Sequence, residues 1–196
     1  MHRLPWWSLS LVLVLWPMPA SGGVSDVHVA FDGARVEFRL DALVDAAADD
    51  VRAVVHDYER LDRVFPLVVA SRQIEGGESG TERVFTLMRG CILFVCRELE
   101  HTIDIREVPG GWSSAVTVPD LSRVRRGQFS WLIEPGAGNP EHARIRIYGF
   151  FEPDFRVPRL LGASLVRMRI LSELRDSVGN IERAAREHAA AADAPR

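Results

Sequence analysis

Residues 97–108, Arg-Glu-Leu-Glu-His-Thr-Ile-Asp-Ile-Arg-Glu-Val, set Leu99, His101, Ile103 and Ile105 on one side of an extended chain and Glu98, Glu100, Asp104 and Arg106 on the other. Successive side chains of a strand point to opposite faces, so this alternation describes a strand with one dry and one wet side, as in an antiparallel sheet laid on a core. The same reading extends outward. Val68–Ile74 and Thr81–Arg89 precede it, and Trp112–Val118, Val124–Glu134 and Ala143–Glu152 follow. Gly76-Gly77, Pro109-Gly-Gly111, Pro119 and Pro135-Gly136 punctuate the joints as turns do. In the stretch 124–134, Phe129, Trp131 and Ile133 share a face opposite Gln128, Ser130 and Glu134.

Different periods flank this block. Upstream, Val27–Phe31 and Arg35–Leu40 read as a hairpin or bent strand pair hinged on Asp32-Gly33. Asp45 is placed to cap a helix that carries Asp49 and Asp50 early and Val51, Val54, Val55 and Tyr58 at helical spacing. Leu61, Val64 and Phe65 suggest a second short helix, stopped by Pro66. Downstream of Pro158, Leu161, Leu165, Met168, Leu171, Leu174, Val178, Ile181 and Ala185 step by three and four, predicting one long amphipathic helix. The residues from 188 to 196, rich in Ala, Asp and Pro, read as a frayed tail.

All 24 cations of the 196-residue chain are arginine, which excludes Schiff-base chemistry and a lysine-dependent phosphate loop. A net charge of −3 argues against a nucleic-acid binder, whose phosphate contacts need a basic face. No zinc-type Cys/His spacing, paired carboxylates or nucleophile with an adjacent base can be read, so no cofactor or metal is expected and catalysis has no support. Residues 1–22 begin Met-His-Arg, continue through the apolar run Leu4–Trp16 and end in Pro17-Met-Pro-Ala-Ser-Gly22. That layout predicts a signal peptide and a periplasmic or secreted domain over residues 23–187. An uncleaved anchor is the alternative, disfavoured because the apolar run falls short of the roughly 20 residues a span needs.

Residues 41–66, from Asp-Ala-Leu-Val-Asp through Asp-Asp-Val-Arg-Ala-Val-Val-His-Asp-Tyr-Glu-Arg-Leu to Val-Phe-Pro, resemble the opening of the polyketide cyclase/dehydrase and coenzyme Q-binding branches of the START-like, or SRPBCC, superfamily. Phe151-Glu-Pro153, leading to Val157-Pro158 and the long helix, is similar to the same branch. The resemblance implies an α+β helix-grip fold in the order β-α-α-β6-α. About seven antiparallel strands would curve around the C-terminal helix, and most members hold a lipophilic ligand between the two. It carries no catalytic signature, and function inferred from fold remains analogy.

One strand from Thr81 to Val108 would exceed ordinary strand lengths, so the chain must reverse near Gly90. A reversal across Gly90–Cys96 brings Cys91 and Cys96 face to face, within reach of a disulfide in an oxidising compartment; two reduced, buried thiols are the alternative. The tip then consists of Ile92, Leu93, Phe94 and Val95, without a turn-forming residue. Up-and-down topology gathers it at one end with Arg123, Arg125 and Arg126. Apolar residues ringed by arginine suit docking on an anionic membrane. Equally, the tip can pack under a neighbouring loop while the arginines pair with Asp120 and Asp154.

The expected ligand-facing set combines the inward strand positions Phe85, Leu99, His101, Ile103, Phe129, Trp131, Ile147 and Gly149 with Trp112 and, from the helix, Leu165 and Met168. His101 serves as a polar handle in a cavity or as a satisfied core histidine, and Gly149 leaves room for a ligand or marks a bend. The leading expectation is an exported monomeric carrier of a lipophilic small molecule with peripheral membrane contact. A cyclase or dehydrase using His101, or an envelope interaction protein filled by its own side chains, are the other readings.

Overall fold

The computed structural model describes residues 23–92, 95–154 and 162–192. The expected signal peptide, the tip residues Leu93 and Phe94, the Val157-Pro158 approach to the helix and the last residues of the expected tail lie outside this set. So do the side chains of Ile92 and Val95.

The chain forms β1 (Gly23–Asp32), β2 (Arg35–Val44), α1 (Ala48–Val55), a 3-10 turn (Leu61–Arg63), β3 (Val68–Ile74), β4 (Glu82–Ile92), β5 (Val95–Val108) and β6 (Trp112–Thr117). A second 3-10 turn (Pro119–Leu121), β7 (Val124–Gly136), β8 (Asn139–Pro153) and α2 (Gly162–Ala192) complete it. The strands make one sheet in the order β1-β2-β8-β7-β6-β5-β4-β3, antiparallel throughout. This is the expected helix-grip architecture, with eight strands rather than about seven. The hairpin on Asp32-Gly33 supplies two full ten-residue strands, and Gly33 adopts the left-handed conformation that the tight turn demands.

Register explains which residues enter the core. Ala42, Ile145 and Ile133 pair across β2, β8 and β7, as do Leu40, Ile147 and Trp131 one step up the sheet. This concave face packs on α1 and α2, where Val44, Val51, Ile145 and Ile181 are 2% exposed or less. At about 25 cal/mol per Å² of apolar surface removed from water, such burial is what holds the helices to the sheet.

Asp45 does not cap α1. Ala47 occupies that position without a side-chain hydrogen bond. Asp45 instead faces His142 of β8 at 3.2 Å and Arg186 of α2 at 3.6 Å, and its backbone N–H donates to Glu182. The acidic first turn of α1, Asp49 and Asp50, still complements the helix dipole. Arg63 pairs with Glu187 and His188 with Asp50, so α2 is fastened near its C-terminal end. The tail expected from residue 188 is helical through Ala192, because the run Ala189–Ala192 has the highest helix propensity available.

β4 and β5 outrun their neighbours. β3 pairs with β4 only as far as Met88, and β6 joins β5 only at Ile103, so residues 89–92 of β4 and 95–98 of β5 pair as a two-stranded ribbon. Cys91 and Cys96 are direct cross-strand partners with Cα atoms 4.0 Å apart, and they form a disulfide. Cross-strand partners share a face, which puts the bond on the convex side beside the Arg89–Glu98 ion pair. No helix among the described residues is long and apolar enough to cross a membrane.

Candidate functional site

Small side chains occupy the middle of the concave face. On β6 the inward positions are Ser113, Ala115 and Thr117, all buried, and opposite Thr117 on β7 stands Gly127. A Cβ on Gly127 would lie 2.5 Å from the Thr117 hydroxyl, so that glycine makes room for the hydroxyl. The hydroxyl meets His101 Nε2 at 2.9 Å. His101 is 8% exposed, and burial depresses its pKa to about 4. The imidazole is therefore neutral at physiological pH.

Aromatic rings surround this pair. Phe129 lies 6.5 Å from the His101 ring, stacks on Trp131 at 5.9 Å and meets Phe38 of β2 at 6.4 Å; Phe38 continues to Phe151 at 6.3 Å. Trp131 in turn meets the edge of His56, at the end of α1, at 6.2 Å. Each such pair contributes roughly 0.5–1.5 kcal/mol beyond the area it buries. Two polar atoms within this band have no hydrogen-bond partner: Trp131 Nε1 and His56 Nε2. Beside them, burial of Tyr58, reinforced by the nearby Glu82 carboxylate, pushes the phenol pKa well above its ordinary value.

Leu99, His101, Ile103, Phe129, Trp131, Ile147 and Gly149 all belong to the concave face. Leu165, on α2, is half-buried. Three other expectations are corrected. Phe85 pairs with Thr102 on the convex face, under the Arg72 guanidinium at 4.4 Å. Trp112 pairs with Leu132 on that same outer side, where it meets Tyr148 edge-on and Arg146. Met168 is 58% exposed because the buried stripe of α2 runs through Ser177, Val178, Ile181 and Ala184, a phase that turns residue 168 outward. Gly149 is no vacancy either. The space its side chain would take is occupied by Phe129, so strand proximity and not ligand room accounts for the glycine.

The sequence reading missed Phe38, His56, Thr117 and Glu173. Phe38 stands in the alternation Val36-Phe38-Leu40, which could have placed it. Glu173 is 5% exposed on the buried stripe of α2, a position its charge conceals. At the ribbon end, Arg123 and Arg125 are exposed and form no ion pair among the described residues, whereas Arg126 pairs with Glu152. Two surface hollows lie elsewhere. One of about 320 Å³ runs between α1 and the C-terminal part of α2, edged by Arg60, Arg63 and Glu187, and one of about 330 Å³ lies by His28, Arg35 and Tyr148. No group of three or more His, Cys, Asp and Glu residues among those described is arranged to hold a metal ion.

Residues 35–186 match the family model of polyketide cyclase/dehydrase and lipid transport proteins. No curated protein matches the chain in sequence. Among solved structures, the chain is similar to the Zhui aromatase/cyclase from Streptomyces sp. R1128, with a TM-score of 0.62 and 13% identity over 82% of this chain and 99% of that one. It is also similar to a STAR-related lipid transfer protein from Xanthomonas axonopodis, with a TM-score of 0.54 and 19% identity over 78% and 98% of the two chains. A START superfamily protein from Mycobacterium smegmatis matches at 0.58 and 13%, over 75% and 97%. At these identities the likeness is one of fold.

Proposed function

We infer function from one premise: the chain belongs to the polyketide cyclase/dehydrase and lipid transport family. That family includes both lipid binders and cyclases. The protein is a carrier for a lipophilic small molecule, held between the concave face and α2, and residues 1–22 direct it out of the cytoplasm. The observation that carries the reading is the indole N–H of Trp131, buried without an acceptor in a wall of aromatic rings. Leaving a buried donor unsatisfied costs about 1–3 kcal/mol, a cost that a ligand acceptor would offset. The neutral His101 favours carriage over acid–base chemistry, since a general acid or base works best with a pKa near the operating pH.

The protein purified from its own envelope and analysed by native mass spectrometry is expected to retain a hydrophobe that organic solvent releases. Trp131→Phe, which keeps an aromatic side chain of smaller size and deletes the donor, should lower its occupancy several-fold. An empty wild-type protein that also fails to take up N-phenyl-1-naphthylamine would sink the carrier reading in favour of an interaction protein.

The exposed Arg123 and Arg125 beside the stapled ribbon support a second element of the reading, docking of this end on anionic lipid during loading. Each cation near such a surface contributes about 1 kcal/mol. The double variant Arg123→Glu/Arg125→Glu, or Phe94→Asp, is expected to reduce flotation with phosphatidylglycerol vesicles more than tenfold. Unchanged flotation of both removes the docking element and leaves the carrier reading standing.

A further inference from the structure

On the convex face of the sheet, the arginines around β2 and β8 are matched to carboxylates, with one gap. The outward positions of β2 read Arg35, Glu37, Arg39 and Asp41. Arg35 faces Glu37 at 3.0 Å, and Asp41 accepts two bonds from Arg144 of β8, at 3.0 and 2.7 Å. Arg146 goes to Glu134 and Arg126 to Glu152. Both carboxylates beside Arg39 are thereby engaged elsewhere. Arg39 itself is exposed and has no ion pair among the described residues.

Register fixes the neighbours of that guanidinium. Arg39 pairs with His28 on β1 and with Tyr148 on β8, so imidazole, guanidinium and phenol form one row across three strands spaced about 4.8 Å apart. All three are exposed, Tyr148 at 52%. The row borders the convex-face hollow of about 330 Å³, whose other walls include Glu37 and Phe150, with the Arg35 guanidinium 3.6 Å above the Phe150 ring. Small-molecule sites have volumes of about 300–1,000 Å³. The Tyr148 ring is held edge-on to Trp112 at 5.2 Å, and Trp112 lies under Arg146 at 5.6 Å. A lone exposed tyrosine is ordinary. One braced beside an unpaired guanidinium and a hollow is a preorganised contact.

We propose that this hollow binds an acidic sugar, a unit of a uronate-bearing oligosaccharide, on the face of the sheet opposite α2 and apart from the concave face assigned to the carried molecule. Arg39 takes the sugar carboxylate through its planar fork of N–H groups. The Tyr148 ring offers an apolar face to the C–H side of the pyranose and its hydroxyl a polar handle. Glu37 accepts from a sugar hydroxyl. The mixture of donors with one carboxylate selects the class: a bare anion meets Arg39 but is repelled by Glu37, and an acyl chain leaves both charges without partners. The site stands independently of the carrier reading.

Isothermal titration calorimetry at about pH 7 and low salt, with trigalacturonate, maltotriose, inorganic phosphate and poly-aspartate, tests this. Wild type is expected to bind trigalacturonate about tenfold more tightly than any of the other three. Arg39→Gln should weaken it about tenfold, and Arg39→Lys, which keeps the charge without the fork, about threefold. Tyr148→Ala should cost a factor similar to Arg39→Gln, whereas Tyr148→Phe keeps the ring and retains binding. These positions are exposed, so wild-type melting temperatures are expected and show the fold intact. The assignment is overturned by wild type that does not bind trigalacturonate, or by binding unchanged in Arg39→Gln or Tyr148→Ala. Phosphate or poly-aspartate bound as tightly also overturns it, in favour of a plain anion site or a protein-docking face. Uptake of N-phenyl-1-naphthylamine by the same samples reads the concave face separately, so the carrier reading stands or falls on its own.

Discussion

Between pH 6.5 and pH 4 the folded protein is expected to lose about 3 kcal/mol of stability through the side chain of His101 alone. The histidine is buried among Phe129 and Thr117 and titrates at about 4 in the folded state, against 6.5 when solvated. Its folded pKa is the lower of the two, so the unfolded chain binds the proton first. Stability is full above 6.5, falls as pH drops through the window, and levels off for this group below 4. His101→Gln, whose amide can still reach Thr117, should show a smaller loss over that window. Subtracting the variant's urea-denaturation profile from the wild-type profile removes the contribution of carboxylates and of the other histidines. Parallel profiles would refute the burial of a neutral imidazole at this position.

Replacing Gly149 with alanine is expected to cost at least about 3 kcal/mol, the upper end of ordinary overpacking, or to prevent folding. The new Cβ would stand 2.4 Å from the Gln128 carbonyl oxygen, 2.4 Å from Phe129 Cβ and 2.6 Å from Phe129 Cα. Two of these are backbone atoms, so no rotamer change relieves the contact and β7 must move off β8. The same exchange at Gly179 should have the opposite sign. Nothing lies within 4 Å of its would-be Cβ, and alanine in an exposed helical position gains about 1 kcal/mol over glycine. Thermal melts of the two variants beside wild type check both directions. Equal effects would mean that β7 and β8 are not as close at Gly149 as described.

The fold was largely legible because its signals are local. The alternation from Leu99 to Ile105 and the Asp32-Gly33 turn each state an element without reference to anything distant, and Val68–Ile74 is a strand with the bounds read from the sequence. The site was legible only where bulk and face coincide, as at Phe129 and Trp131. On β6 they diverge. Its inward residues are Ser113, Ala115 and Thr117, while the large ring of Trp112 faces out, so ranking by hydrophobicity chose the wrong side. Phe85 misled in the same way: a guanidinium above its ring compensates for its position on the outer face. On α2 the apolar residues admit more than one helical phase. Only packing against α1 and the sheet selects the phase that buries Glu173 and exposes Met168.

Among the described residues, the side-chain bonds that tie α2 to the rest of the protein are unevenly spread. Asn180, Glu182, Arg186, Glu187 and His188 all reach α1, the turn after it or Asp45, whereas Ser164, Arg167 and Met168 face water. Gly179 sits near the boundary between the two halves. A beam clamped at one end yields first at the other. The N-terminal half of α2 is therefore expected to move before the C-terminal half, with every rung of the eight-stranded ladder left intact.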